Sequence, residues 1–290
     1  MGFLTPPEIA RSMVETAKKK ASLSLSNMFA LAVLAGAFIA FGAEGSTMAI
    51  HDFPLVGLGK YVAGLIFGTG LMMVIVGGAE LFTGNSLMTT GLLTGEVTGG
   101  RLLRNWVIVY LGNFAGALIV AFLMSGSGLW GTTDGLLGQV VVKIALGKVG
   151  MTWSQAFIRG ILCNWLVCMA VWLAAASKDV TGKILGVFFP IMLFITSGFE
   201  HSIANMYYIP AGNLAARDPA ISAAFPASKI DSLTWGSLFV KNLIPVTLGN
   251  IIGGALFVAG FYWFAYLRQP VVPSVRVETI KKAPTQMAAD

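Results

Sequence analysis

The sequence predicts an all-α integral membrane protein whose six transmembrane helices form an inverted 3+3 repeat with two broken helices. Three observations carry this. Hydrophobic residues make up 56% of the 290 and charged residues only 11%, with mean hydropathy +0.78, against about 25% charged content in an average soluble domain. Six stretches approach or exceed the ~18 to 20 apolar residues that cross a bilayer. One polar pattern is written twice inside them, as Gly78, Glu80, Asn85 in GGAELFTGNSLM and Gly198, Glu200, Asn205 in SGFEHSIANMYY.

The elements follow in order. Residues 1–25 read as an amphipathic cytoplasmic helix with no apolar core of a signal peptide. The spans are expected at 28–43, the first being short if Glu44 ends it, then 61–79, 105–124, 156–176, 184–199 and 243–267, within a channel domain of residues 26–268. Residues 269–290 are expected to be a flexible cytoplasmic tail. Six spans put both termini on one side. That side collects Arg11, Lys18, Lys19, Lys20, Arg101, Arg104, Lys178, Lys183, Arg268, Arg276, Lys281 and Lys282, so the positive-inside rule makes it cytoplasmic, in a plasma or inner membrane. The net charge of +6 then reflects topology, and nucleic-acid binding is excluded as a role.

Each polar pattern is followed by a second shared string, Gly112-Asn113-Phe-Ala-Gly116 answering Gly249-Asn250-Ile-Ile-Gly253. Three spans per copy is an odd number, so the second copy enters the membrane from the opposite side. Carboxylates, amides and glycines in mid-span mark discontinuous helices lining a polar passage, with breaks near 80–91 and 200–205. Glu80 and Glu200 are expected to hold backbone N–H groups freed at the breaks, since a carboxylate repels an anion. Asn113 and Asn250, among small residues, are expected to hydrogen-bond between helices. Thr83, Asn85, Asn164 and Asn205 offer neutral donors to a solute or to unpaired backbone. His201, one of two histidines, is an ionisable residue at membrane depth and a functional candidate by default. Cys163 and Cys168 read as packing residues, with no metal site and no disulfide.

AELFTGNSLM (79–88), CNWLVCMAVW (163–172), SGFEHSIANMYYIP (197–210) and IPVTLGNIIGGALF (244–257) resemble the signatures of the formate/nitrite transporter family, over residues 6–267. The resemblance implies a homopentamer of aquaporin-like protomers, each with its own pore for a small monovalent anion. It also implies a central His201, with Thr83 on the first broken-helix loop. Constrictions would be formed by Phe67, Leu71, Leu81, Phe82, Val167 and Phe194. Lys148 would be the vestibule lysine.

A bare anion crossing two dry slits loses hydration worth many kcal/mol, which drives groups toward neutralisation. Formate, nitrite and hydrosulfide are conjugate bases of weak acids, and a histidine can hydrogen-bond or protonate them near neutral pH. The expectation is a channel or proton-coupled transporter, formate first among its substrates. Lys148 would attract the anion, and Thr83 and His201 would bind and neutralise it. An aquaporin-like neutral-solute channel is the alternative, but Asn85 precedes Ser-Leu and Asn205 precedes Met-Tyr where paired Asn-Pro-Ala motifs would stand. A haem or quinone anchor needs two axial histidines, and His51 lies outside the spans. No nucleophile with a base, phosphate loop or cysteine cluster is present, so neither enzyme activity nor a cofactor is expected.

Overall fold

The structure, a computed structural model, describes residues 2–268; the predicted tail, with Arg276, Lys281 and Lys282, lies outside them. Helix α1 (Pro6–Ser22) opens with prolines in its first turn, where their missing N–H costs nothing, and with Glu8 accepting the Thr5 N–H at 2.7 Å. Ile9, Ala10, Met13, Val14, Ala17 and Ala21 form its buried stripe. The segment before α1 bridges Phe3 to Ser177, and the Leu4 N–H donates to the Ala176 carbonyl at 2.8 Å.

The bonds from the Thr5 backbone and hydroxyl hold the Glu8 carboxyl below its ordinary value of 4.5. Its capping contribution is therefore complete above that value and is lost as pH falls through the lower folded value. Glu8→Ala should speed amide exchange over residues 5–9 at neutral pH and leave uptake unchanged. Hydrogen-exchange mass spectrometry reads this, and acidification through the folded-state value, below 4.5, should lower the protection of the same segment relative to its intrinsic exchange rate in the unaltered protein.

Six helices are long and apolar enough to cross a membrane. They are α2 (Leu25–Ile50), α3 (Val56–Gly77), α5 (Gly99–Gly126), α7 (Trp153–Ala176), α8 (Val180–Ser197) and a last span, Trp235–Leu267. The first does not stop at Glu44 as expected. That carboxylate is buried inside α2, which runs on to Ile50, because a neighbouring helix supplies it with a hydrogen-bond donor. The last span likewise starts at Trp235, ahead of the predicted 243, and widens to i→i+5 turns on both sides of the regular stretch Ile244–Ile251.

Both breaks are built alike at their start. Gly78 (φ 81°) ends α3 and Gly198 (φ 76°) ends α8, in a left-handed conformation that glycine adopts without steric cost. They differ afterwards. The first break continues into a 3₁₀ turn, Gly84–Met88, and the short α4 (Thr89–Leu93), whereas the second restarts directly as α9 (Ser202–Ala215). Helix α6 (Leu136–Val149) precedes α7 as α1 precedes α2. The crossings repeat too: a Cβ on Gly116 would lie 2.0 Å from the Val33 carbonyl oxygen of α2, and one on Gly253 would lie 2.3 Å from that of Ile161 in α7. Only glycine lets these backbones touch.

Candidate functional site

Each break is held by one asparagine reaching across from another helix. Asn113 of α5 accepts the Phe82 N–H at 2.9 Å and donates to the carbonyls of Ala32 (2.7 Å) and Glu80 (2.9 Å). Asn250 of the last span accepts the Ser202 N–H at 2.9 Å and donates to those of Gly160 (2.8 Å) and Glu200 (3.0 Å). Each amide thus spends one hydrogen on a carbonyl at its break, Glu80 or Glu200, and the other on a carbonyl of a continuous neighbouring helix, Ala32 of α2 or Gly160 of α7.

The carboxylates do something other than expected. Among the described residues no backbone N–H reaches the Glu80 or Glu200 carboxylate, because Asn113, Asn250 and the carbonyls of Leu31 and Arg159 already serve the backbone at the breaks. Each instead takes a lysine and an amide. Glu80 pairs with Lys20 of α1 at 2.6 Å and accepts from Asn85 Nδ2 at 2.7 Å, and Asn85 also donates to Asn105 at 2.8 Å. Glu200 pairs with Lys148 of α6 at 3.1 Å and accepts from Asn205 Nδ2 at 2.7 Å, and Asn205 also donates to Asn242 at 2.7 Å. Two copies of one Lys–Glu–Asn–Asn cluster result.

The donors expected on Asn164 and Asn205 are therefore occupied. Asn164 Nδ2 serves the Asn250 carbonyl at 2.6 Å, the Thr83 carbonyl at 3.1 Å and Ser86 Oγ at 3.2 Å. Only the oxygens Asn164 Oδ1 and Asn205 Oδ1 lack partners, and an acceptor does not bind an anion.

Lys20, Asn105 and Asn242 escaped the sequence reading. Aligning the two copies further upstream would have found Lys20, since it stands 60 residues before Glu80 as Lys148 stands 52 before Glu200.

The copies differ in the residue after the carboxylate, which is Leu81 in one and His201 in the other. His201, 3% exposed, sits at the N-cap of α9, where Nδ1 accepts the Ala204 N–H at 3.2 Å. A neutral ring with Nδ1 as acceptor carries its proton on Nε2. That Nε2–H donates to Thr83 Oγ1 at 2.9 Å, which leaves the Thr83 O–H free to donate onward. The Phe194 ring lies 6.0 Å from the imidazole and meets Phe67 edge-on at 5.6 Å. Phe82 packs against Tyr110 at 5.0 Å. Leu71, Leu81 and Val167 are buried with them. A cavity of about 260 Å³ is lined by Lys20, Glu80 and Asn85 together with Leu71 and Leu81. No three His, Cys, Asp or Glu side chains gather as a metal would require, among the described residues.

Residues 7–264 match the family model described as Formate/nitrite transporter. The chain belongs to the formate/nitrite transporter family. Within it, the chain is 43% identical to a probable formate transporter of Methanothermobacter thermautotrophicus, covering 92% of this chain and 98% of that one. It is 38% identical to the formate channel FocA of Escherichia coli (strain K12), covering 92% and 96%. A solved pentameric formate channel with formate bound superposes with TM-score 0.75 at 35% identity, over 84% of this chain and 98% of the other. An FNT family ion channel gives the same TM-score at 31% identity. The six-span, all-α membrane fold expected from sequence is shared with these members of the formate/nitrite transporter family.

Proposed function

We propose that the protein is a homopentameric formate channel of the plasma or inner membrane, each protomer with its own pore, its halves disposed as inverted repeats and both termini cytoplasmic. The observation that carries this is the single buried imidazole bonded to Thr83, among buried phenylalanine and leucine side chains and flanked by two Lys–Glu clusters. Lys20 marks the cytoplasmic mouth and Lys148 the outer one. Leu71, Leu81 and Phe82 form the inner slit, and Phe67, Val167 and Phe194 the outer one. Nitrite and hydrosulfide, of similar size and charge, are secondary substrates.

The geometry favours His201 as a hydrogen-bonding group over a proton donor. A proton it could give away would have to sit on Nδ1 as well as Nε2, and that would break the cap on Ala204. An anion that crosses as its neutral acid thus takes its proton from vestibule water before the slit, where burial of the bare charge begins to cost. Thr83 O–H, oriented by the ring behind it, then bonds the solute between the slits.

Each Lys–Glu pair is neutral overall, so attraction at the mouth is that of a dipole whose ammonium end faces the solute. Lys148→Met leaves the Glu200 carboxylate uncompensated and should raise the apparent KM for formate about tenfold. The double variant Lys148→Met/Glu200→Gln should recover only part of the loss, because it removes the bare carboxylate without restoring the ammonium. Stopped-flow uptake into proteoliposomes with formate, nitrite and hydrosulfide, at two pH values, checks both this and the substrate. Water or glycerol flux without any anion uptake would overturn the proposal in favour of a neutral-solute channel.

A further inference from the structure

Glu44 lies inside a spanning helix, α2, six residues before its end at Ile50, 8% exposed and in no ion pair among the described residues. Its carboxylate accepts the Tyr207 hydroxyl of α9, while its other oxygen, Oε1, has no partner. One residue before it, the Ala43 carbonyl accepts the Tyr208 hydroxyl at 3.4 Å. Two adjacent tyrosines of α9 are therefore pinned to one turn of α2. The Tyr208 ring lies beneath the ammonium of Lys148, 5.0 Å from Nζ to the ring centre. On its other side Lys148 meets the Glu200 carboxylate at 3.1 and 3.2 Å. Lys20 has no ring beneath it among the described residues, and its side chain is 23% exposed against 14% for Lys148.

We propose that Glu44, Tyr207 and Tyr208 form a clamp that fixes the Lys148 ammonium between a carboxylate and an aromatic face, making Tyr208 and Glu44 positioning residues for anion entry at that mouth alone. The inference rests on Lys148 acting as the entry lysine. A flexible lysine loses rotamer freedom on every encounter with a solute. One held on two sides has lost that freedom on folding and presents its remaining N–H to the vestibule. The negative face of the ring stabilises the ammonium without competing as a hydrogen-bond acceptor. The carboxylate of Glu44 holds Tyr207, and the rigidity of that turn fixes Tyr208 one residue on.

The test is formate uptake per assembled oligomer, measured on the full chain in proteoliposomes. Tyr208→Leu should raise the apparent KM about two- to fivefold, the worth of a partly exposed cation–ring contact, with maximal rate unchanged. Tyr208→Phe keeps the ring and loses only the long 3.4 Å bond to Ala43, so its KM should lie closer to that of the unaltered protein than to that of Tyr208→Leu. Glu44→Leu should raise KM in the same sense, and Glu44→Gln, which can still accept from Tyr207, should restore it; this pair decides the matter if Tyr208→Leu fails to assemble. In a cycle with Lys148→Met, the Tyr208→Leu effect should vanish. Equal KM for Tyr208→Leu and Tyr208→Phe, or full additivity with Lys148→Met, overturns the clamp and leaves the entry lysine standing. No change in KM for Lys148→Met overturns the entry lysine and the clamp together.

Discussion

His201→Phe should abolish saturable formate uptake at every pH, and His201→Asn should keep uptake and its pH dependence. Phenylalanine removes both ring bonds, leaving the Thr83 hydroxyl unoriented and the Ala204 N–H without its cap. A lost N-cap costs about 0.5 to 2 kcal/mol, which an assembled oligomer survives. Asparagine is among the best N-cap residues. Its carbonyl can accept from Ala204, and its amide hydrogens can donate toward Thr83. If the ring were a proton donor, asparagine would be as damaging as phenylalanine, because an amide carries no labile proton. Uptake measured against pH for the two variants, normalised to oligomer yield, separates the cases. Loss of pH dependence in His201→Asn alone would return the proton to the ring.

The second large effect concerns assembly. Asn250→Leu removes three hydrogen bonds at once and strands the Ser202 N–H and the Glu200 carbonyl at the break, while the Gly160 carbonyl keeps its place in the α7 ladder. Each buried group left unpaired costs about 1 to 3 kcal/mol, so the two together reach the lower end of the ~5 to 15 kcal/mol that holds a typical domain folded. Little or no intact oligomer should be recovered in detergent. Glu200→Ala should be the lesser injury. It leaves Lys148 uncompensated, but at 14% exposure that lysine can reach water. Size-exclusion yield of the two variants under one extraction protocol checks the order, and equal yields would contradict it.

Much of the fold could be read in the sequence because lipid imposes a strict rule: backbone polar groups must pair within the protein, so apolar runs are helices and mid-span glycines with polar neighbours are breaks. The doubled string around Asn113 and Asn250 was visible for the same reason. Its partners were not, since a side chain's bonds depend on which helix crosses it. Glu80 looked like a group in need of backbone donors because its lysine lies in a helix classed as cytoplasmic by its charge. Glu44 looked like the end of a span because its tyrosine is 163 residues away. Asn105 and Asn242 carry no local signal at all; only superposing the copies reveals that each completes an amide pair.

The frame is doubled but the imidazole is not, and Leu81 fills the place that mirrors His201. With the mouths assigned as proposed, a solute arriving beside Lys20 would meet Leu71 and Leu81, which line the same cavity, and one arriving beside Lys148 would meet the crossed rings of Phe67 and Phe194. The energy profile along the pore therefore has no mirror plane. In the proposed channel, equal and opposite gradients of formate near saturation should drive unequal flows, with the Leu81/His201 difference as one source of the asymmetry.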